Sequence, residues 1–442
     1  MRADNLKRRT FLQSVGAAGM AGSLMAPASP AQSAGQRRFR VGFIGMGRRG
    51  LGNMRSALKL PSLQVVAVCD VYQPNLDLAV AAVPGVKVYK DFRDLLAASD
   101  IDAVCIATPD HWHAFMTIEA CKAGKDVYIE KPISVTVREG RMMVEAARKY
   151  GRVVQVGTQQ RSGIHFAKAV EIVRSGRLGP ISFVRTWNYE NEYPGGIGNP
   201  PDSAPPAGLD WDMWLGPAAE RPFNANRFGV NPEAHSHFRW FWDYAGGKMT
   251  DWGVHLLDIV LWAMNEPGPR VITTMGGKYA LRDNRETPDT LQATFEFPGF
   301  ICTYENRVAN AQSLWNQGYG ITFHGAEGTL FVDRSRWEIL PEKRTNRQTR
   351  VTTERMAAET GTASNETTDD HWVNFAQCMK TREKPVSDIE NGHQSTAMAL
   401  LGNVALRSRQ RVEWDPATEQ TTNAEAATYL DKEYRPPWKL SL

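Results

Sequence analysis

Val41-Gly42-Phe43-Ile44-Gly45-Met46-Gly47-Arg48-Arg49-Gly50 runs from an apolar, strand-like segment into a helix-compatible one through three glycines in G-x-G-x-x-G spacing. Alone, that spacing marks only a glycine-rich turn; between a strand and a helix it marks a phosphate cradle. Gly45 permits a tight turn, Gly47 lets the backbone approach a pyrophosphate, and Gly50 lets the helix pack close. The helix start adds N–H groups and positive potential. Asp70 ends the next apolar run, 20 residues after Gly50. A carboxylate there accepts hydrogen bonds from an adenosine ribose diol and repels a 2′-phosphate. NAD is therefore the expected cofactor, with NADP as the alternative. Gly45, Met46, Gly47, Arg48, Gly50 and Asp70 are its candidate contacts.

Outward from this motif, short strand-like runs alternate with helical stretches. Phe39–Ile44, Gln64–Cys69, Val86–Tyr89, Ala103–Ala107, Asp126–Ile129 and Arg152–Val156 read as strands. Helices are expected at Arg49–Leu60, Asn75–Ala82, Phe92–Ala98, His113–Ala123 and Val135–Lys149. Strands separated by single helices imply βαβ units, hence an α/β, doubly wound parallel sheet of Rossmann type over residues 37–160. After a helix over His165–Ser175 the texture changes. Ser182–Tyr189, Val271–Tyr279, Thr290–Phe297, Phe300–Asn306 and Gly320–His324 are longer strands joined by turns, so residues 161–442 form a second, α+β domain with an antiparallel or mixed sheet. Glu190–Lys248 is rich in Pro, Gly and Trp without periodicity, and so long a stretch is usually functional. Lys343–Thr368 reads as a polar excursion, and helices near Asp370–Met379 and Gln394–Arg409 close the second domain.

The 442 residues are too many for one compact core, in keeping with two domains. Most of the formal charge of +4 sits in residues 1–31, where Arg2, Lys7, Arg8 and Arg9 face Asp4 alone; the remainder carries 48 basic and 47 acidic residues. A globule so nearly neutral gives no reason to expect nucleic acid or a membrane surface as a partner. No apolar run after the first thirty residues could serve as a membrane anchor. Cys69, Cys105, Cys121, Cys302 and Cys378 are scattered, without metal-ligand spacing, and read as buried thiols. Lys7-Arg8-Arg9-Thr10-Phe11-Leu12 is a twin-arginine pattern, followed by the weakly apolar Val15–Ala26 and small residues up to Ala31. Residues 1–36 therefore read as a signal peptide and linker, which sends the protein, already folded, to the periplasm or outside the cell.

Two further constellations carry chemistry. Ala107-Thr108-Pro109 ends the fourth strand and is followed by Asp110-His111-Trp112-His113; Glu130-Lys131-Pro132 ends the fifth. Ligands of open α/β sheets bind beyond the carboxyl ends of the strands, so Glu130 and Lys131 are expected to project toward the nicotinamide. A proline after Lys131 can hold a cis or bent peptide. Asp251-Trp252-Gly253-Val254-His255-Leu256-Leu257-Asp258 places Asp251, His255 and Asp258 at i, i+4 and i+7, one face of a helix. Flanking carboxylates would fix the imidazole tautomer and raise its basicity. Metal binding is the rival use of that histidine; only one His lies on the face, with His235 and His237 nearby in sequence, and no metal is expected.

Together, Gly45-x-Gly47-x-x-Gly50, Thr108-Pro109 with His113, Glu130-Lys131-Pro132 and Asp251-x-x-x-His255 resemble the Gfo/Idh/MocA family of sugar and polyol oxidoreductases over about residues 38–415. The resemblance implies that Lys131 binds the reacting oxygen, His255 exchanges its proton and Asp251 assists. It adds Thr108, Pro109, His113, Glu130 and Lys131 to the cofactor contacts. It also implies that an open sheet in the second domain packs against another subunit, in a homodimer or homotetramer. The long aromatic insertion departs from the family's short members. Trp187, Trp211, Trp214, Trp240, Trp242, Trp252 and Trp262 hold seven of the thirteen tryptophans; indoles stack on the C–H faces of sugars, and they also pack cores. Two functions fit: an NAD-dependent dehydrogenase for a secondary alcohol of a sugar, polyol or glycoside, or a redox-assisted glycoside hydrolase with transient C3 oxidation.

Overall fold

The structure, a computed structural model, describes residues 38–229 and 236–442; the twin-arginine pattern, its apolar stretch and His235 lie outside the described residues. Six strands form the first sheet: β1 (Phe39–Ile44), β2 (Leu63–Cys69), β3 (Lys87–Tyr89), β4 (Ala103–Ile106), β5 (Asp126–Ile129) and β6 (Val154–Val156). Their order is β3-β2-β1-β4-β5-β6, and every pairing is parallel. β4 and β5 are buried at every residue because helices cover both faces, which is why they read as unbroken apolar runs. The interleaved helices are α1 (Arg48–Leu58), α2 (Gln73–Ala82), α3 (Phe92–Ala97), α4 (His113–Lys122) and α5 (Val137–Lys149). A capping box starts α5: the Glu139 N–H donates to Thr136 Oγ1 at 3.2 Å, and the Thr136 N–H donates back to the Glu139 carboxylate at 3.1 Å. Chain order reverses between β1 and β4, so the crevice beyond their carboxyl ends is where a ligand of this sheet seats.

The second sheet has ten strands: β7 (Ile181–Tyr189), β8 (Val271–Gly277), β9 (Thr290–Glu296), β10 (Ile301–Arg307), β11 (Tyr319–Gly325), β12 (Gly328–Val332), β13 (Arg336–Pro341), β16 (Glu359–Thr362), β17 (Val412–Asp415) and β18 (Gln420–Thr421). They run β16-β13-β12-β11-β7-β10-β9-β8-β17-β18, antiparallel except where β7 meets β10. Leu291, Ala293 and Phe295 alternate inward along β9 and pack with α6 (Ile164–Arg174), α10 (Gly253–Met264) and α12 (Ile389–Ser408) in the largest core. Burying each such side chain is worth about 1.5–3 kcal/mol. On the other face Met275 and Ile301 are exposed.

Two expectations change. The polar excursion of 343–368 contains a hairpin, β14 (Lys343–Thr345) with β15 (Thr352–Glu354), and then β16 at the sheet edge. Exposed edge strands need no apolar alternation, so nothing in their composition announced them. And α11 (Thr367–Thr381), expected to close the second domain, packs on the first sheet, where Trp372 stacks on Tyr128 with ring centroids 4.4 Å apart.

The insertion 190–248 is mostly irregular, with short helices α7 (Trp211–Leu215) and α8 (Ala225–Phe228), its own aromatic core, and α9 (Gly247–Asp251) starting at its end. It docks on the strand-end loops of the first sheet. The Gln73 N–H donates to Gly208 O at 2.9 Å, Asp210 N–H to Val71 O at 3.0 Å, and His111 N–H to Tyr244 O at 3.1 Å. The C-terminal segment adds a second brace, with Trp438 edge-on to Trp112 and Arg435 donating to Gly216 O. All five cysteines are buried and free. No helix among the described residues is long and apolar enough to cross a membrane.

Candidate active site

A cavity of about 600 Å³ opens beyond the carboxyl ends of β1 and β4, walled on its far side by the insertion and the second sheet. At one end the walls are backbone. Gly45 has φ +86°, and a Cβ there would lie 2.7 Å from Ala107 C and Thr108 N. A Cβ on Gly50 would lie 1.8 Å from Gly45 O, so only glycine lets α1 start this close to the turn. Gly47, by contrast, has nothing within 4 Å of a would-be Cβ and borders the cavity. Thr108 Oγ1 and one Arg49 guanidinium nitrogen are buried there without a protein partner. An open glycine cradle at a helix start, with an orphaned hydroxyl beside it, fits the phosphates and polar groups of a dinucleotide.

Asp70 lines the same end, but its carboxylate already ties the loop together. Oδ2 accepts from Met46 N–H at 2.6 Å and Asn75 Nδ2 at 2.9 Å, and Oδ1 accepts from Tyr72 N–H at 2.9 Å. Burial raises its pKa, opposed by those three donors. Met46 therefore departs from expectation: its side chain is fully buried in the core and its N–H serves Asp70, so it does not line the cavity. Arg48 does, from the exposed side.

At the other end the walls are charged side chains. The Lys131–Pro132 peptide is cis. Lys131 Nζ donates to Asp251 O at 2.8 Å and to Asp251 Oδ1 at 2.9 Å, and Arg239 Nε donates to the same Oδ1 at 2.9 Å. One carboxylate thus clamps two cations through charge-assisted hydrogen bonds. His255 enters from the first turn of α10, and its buried Nδ1 has no hydrogen-bond partner. His113 faces carbonyls with both ring nitrogens, Nδ1 at 2.7 Å from Pro132 O and Nε2 at 2.9 Å from Thr108 O. It fastens the loop after β4 to the loop after β5, so Thr108 and Pro109 are held against Lys131.

Three expectations about this end are corrected. Asp251, His255 and Asp258 do not share one helix face, because α9 stops at Asp251 and α10 begins at Gly253. Asp258 instead makes a buried ion pair with Arg161, at 2.8–3.0 Å. The His255 pKa lies well below its ordinary value rather than above it, because burial, Lys131 and Arg334 all disfavour the imidazolium and outweigh Asp251. Glu130 borders the cavity but turns back to α1, accepting from Arg49 Nε at 2.6 Å and Asn53 Nδ2 at 2.9 Å. Burial opposes its charge, yet Arg49 and Asn53 hold its pKa below the usual carboxylate value.

Among the charged groups of the cavity that sequence reasoning left unassigned are Asp110, Arg239 and Arg334. Asp110 stood in the quoted Asp110-His111-Trp112-His113 run and went unused. Burial pushes its pKa up to about 7, against the pull of Arg239 and Lys131. Arg239 and Arg334 come from distant segments and had no local signal. Of the seven tryptophans, Trp214 and Trp252 border the cavity. Trp187 and Trp240 are core, Trp211 stacks on Trp214, and Trp242 and Trp262 lie under Arg407 and Arg161. His237 Nδ1 sits 3.2 Å from Asn226 Oδ1, and among the described residues no cluster of three His, Cys, Asp or Glu is placed to hold a metal.

The model of the oxidoreductase family's NAD-binding Rossmann fold, Gfo/Idh/MocA, matches residues 39–158. Two models of the same family's C-terminal domain match residues 165–272 with 353–440, and 221–331. The chain belongs to the Gfo/Idh/MocA oxidoreductase family. Its first sheet is accordingly an NAD-binding Rossmann fold. A curated relative, the glycosyl hydrolase family 109 protein of Shewanella sp. strain W3-18-1, is 34% identical over 151 residues, 32% of this chain and 33% of that protein. YrbE of Bacillus subtilis, an uncharacterized oxidoreductase, is 32% identical over 158 residues, 36% and 46% of the two chains. The chain thus spans from a third to under half the length of these relatives. Among solved structures, the WlbA dehydrogenase of Bordetella pertussis, in complex with NADH and UDP-GlcNAcA, has a TM-score of 0.64 at 21% identity, covering 86% of this chain and 99% of that one. Levoglucosan dehydrogenase in complex with NADH and levoglucosan has a TM-score of 0.64 at 16% identity, covering 85% and 99%. At such identities these likenesses establish the fold.

Proposed function

We propose that the protein is an exported NAD-dependent oxidoreductase that moves a hydride between a tightly held dinucleotide and a secondary alcohol of a sugar, polyol or glycoside. The observation that carries this reading is Lys131 Nζ, anchored at 2.8 and 2.9 Å on Asp251 in the same cavity wall as His255, beyond the glycine cradle. The dinucleotide, when bound, supplies the hydride acceptor or donor. Gly45, Gly47, Arg48 and Thr108 would hold it, with Asp70 as the candidate partner of its ribose diol. The Lys131 ammonium stabilises the negative charge that grows on the substrate oxygen as its carbon loses hydride. His255, neutral at pH 7, accepts the hydroxyl proton, and Asp251 with Arg239 keeps the ammonium in position.

Export is the reading of Lys7-Arg8-Arg9-Thr10-Phe11-Leu12, which places the enzyme in the periplasm or outside the cell. Free NAD is not expected there, so the cofactor is loaded before export and regenerated in place. The exposed face of the ten-stranded sheet is the proposed contact in a homodimer or homotetramer. A second reading is favoured by the family 109 relatives: transient oxidation at C3, loss of the aglycone, addition of water, and reduction, with no net redox change. The two separate when purified protein meets simple sugars and chromogenic glycosides without added NAD. Reduced-nicotinamide absorbance that accumulates with a sugar supports the dehydrogenase. Aglycone release without that absorbance supports the hydrolase and rules the simple dehydrogenase out.

A further inference from the structure

Among the described residues, the reacting end of the cavity holds more cations than carboxylates paired with them. Lys131 and Arg239 share Asp251, and Arg49 is paired with Glu130. Arg334 lines the same cavity, and no carboxylate among the described residues forms an ion pair with it. Its place is nonetheless well defined. It sits in the turn between β12 and β13, where Asp333 Oδ1 accepts the N–H groups of Ser335 at 2.7 Å and Arg336 at 2.9 Å. Its guanidinium carbon lies 4.7 Å from the centroid of Trp252. Its Nε donates to Gln160 Oε1 at 3.3 Å, and Gln160 Nε2 donates in turn to the backbone oxygen of His255 at 3.3 Å.

A cation in such a place is costly. Burial disfavours the charged guanidinium, Arg49 adds like-charge repulsion, and the attraction of Asp251 and Tyr319 does not offset them. A partly desolvated charge held rigid without a counter-ion is unfavourable unless a ligand completes it. Stacking on an indole uses the face of the guanidinium and leaves its edge, the fork that grips planar oxyanions two bonds at a time.

We infer that Arg334 seats an anionic ring substituent of the substrate, so that the enzyme acts on acidic sugars, bearing a carboxylate or a sulfate ester, in preference to neutral ones. This rests on the carbohydrate oxidoreductase reading of the same cavity. Trp252 then borders the ring that carries the anion, and His255, joined to Arg334 through Gln160, faces the hydroxyl that reacts.

The test uses purified protein with its bound cofactor and sugar pairs that differ at one position: glucose with glucuronate, galactose with galacturonate, and glucose with glucose 6-sulfate. Binding is read by tryptophan fluorescence, and turnover by reduced-nicotinamide absorbance. In at least one pair the charged member should bind about ten- to a hundredfold more tightly at low salt, the range of a charge-assisted contact. Which pair shows it tells a carboxylate from a sulfate. Arg334→Gln should erase the preference while leaving cofactor retention unchanged and the melting temperature no lower than that of the native protein, and Arg334→Lys, which keeps the charge but not the fork, should restore part of it. Equal binding of charged and neutral members in every pair overturns the inference. So does loss of the cofactor from Arg334→Gln, which would assign the guanidinium to the dinucleotide's phosphates. If no sugar of either kind binds to cofactor-loaded protein, the carbohydrate reading falls and takes this inference with it.

Discussion

The two ends of the cavity are built from different materials. The cofactor end is backbone: one turn, residues 45–50, shaped by Cβ atoms that are missing and secured by Asp70. The reacting end is side chains drawn from five places: Lys131 after β5, Arg239 from the insertion, Asp251 and His255 on either side of the α9–α10 break, and Arg334 in a turn of the second sheet. One end is sensitive to added volume and indifferent to distant charge. The other tolerates changes of shape and depends on a balance in which one carboxylate serves two cations. Substitutions at the two ends should therefore fail in different ways.

The largest effect is expected from Gly45→Val. A β-branched residue at φ +86° costs about 1–2 kcal/mol in backbone strain. Overlap with Ala107 and Thr108 adds about 1–3 kcal/mol. The variant should melt well below the native protein and emerge from dialysis without NAD. Native-like NAD content would break the account of that end as a backbone cradle.

Lys131→Met should do the opposite, keeping NAD and losing about 10²–10³-fold in kcat, as removal of a charge-stabilising donor does elsewhere. Joint loss of cofactor and activity would mean that the two ends are not separable.

His255→Asn should lower kcat by about 10²-fold or more, and the pH profile sharpens the assignment. The folded-state pKa of His255 is depressed, so the unfolded chain takes up its proton first as pH falls below the ordinary histidine value of 6.5. Stability contributed by the neutral ring is present above that value and is lost as pH falls below it. The acid limb of activity should accordingly lie below pH 6.5, and the asparagine variant should lose less melting temperature between pH 7 and pH 5 than the native protein. A limb at or above 6.5 would restore the raised-basicity expectation.

Asp110 gives the smallest effect, with the reverse sign. Its folded pKa, about 7, lies above the ordinary aspartate value of 3.8, so its stabilising contribution is present at low pH and is lost as pH rises through 7. Asp110→Asn should melt higher than the native protein at pH 8 and match it near pH 4. Matching melting curves at both pH values would show that the cavity does not hold this carboxyl in its neutral form.

Legibility in the sequence followed the range of the interactions. Most of the parallel strands were readable as buried apolar runs punctuated by helices, the exposed three-residue β3 from its place in that alternation, and the helix carrying His255 and Asp258 from their spacing. The pairing of Asp258 was not, since Arg161 lies 97 residues away and its salt bridge leaves no mark in local periodicity. The same holds for α11, whose Trp372 stacks on Tyr128 of the first sheet although it lies between strands of the second in the chain. Asp110 was within reach, as an acid directly after Thr108-Pro109, but only burial reveals that it lacks the solvent a carboxylate needs.

By itself the sequence determined the glycine turn, the succession of Rossmann strands and helices along the chain, and the candidate residues Lys131, Asp251 and His255 of the proposed chemistry. Those depend on backbone conformation and nearest neighbours, which local sequence controls. Only the tertiary structure decided that Asp251 clamps Lys131 with Arg239, that the His255 pKa falls rather than rises, and that Arg334 stands in the cavity with no carboxylate paired to it among the described residues. Charge balance and desolvation are sums over whatever the fold brings within a few ångströms, and no single stretch of chain contains them.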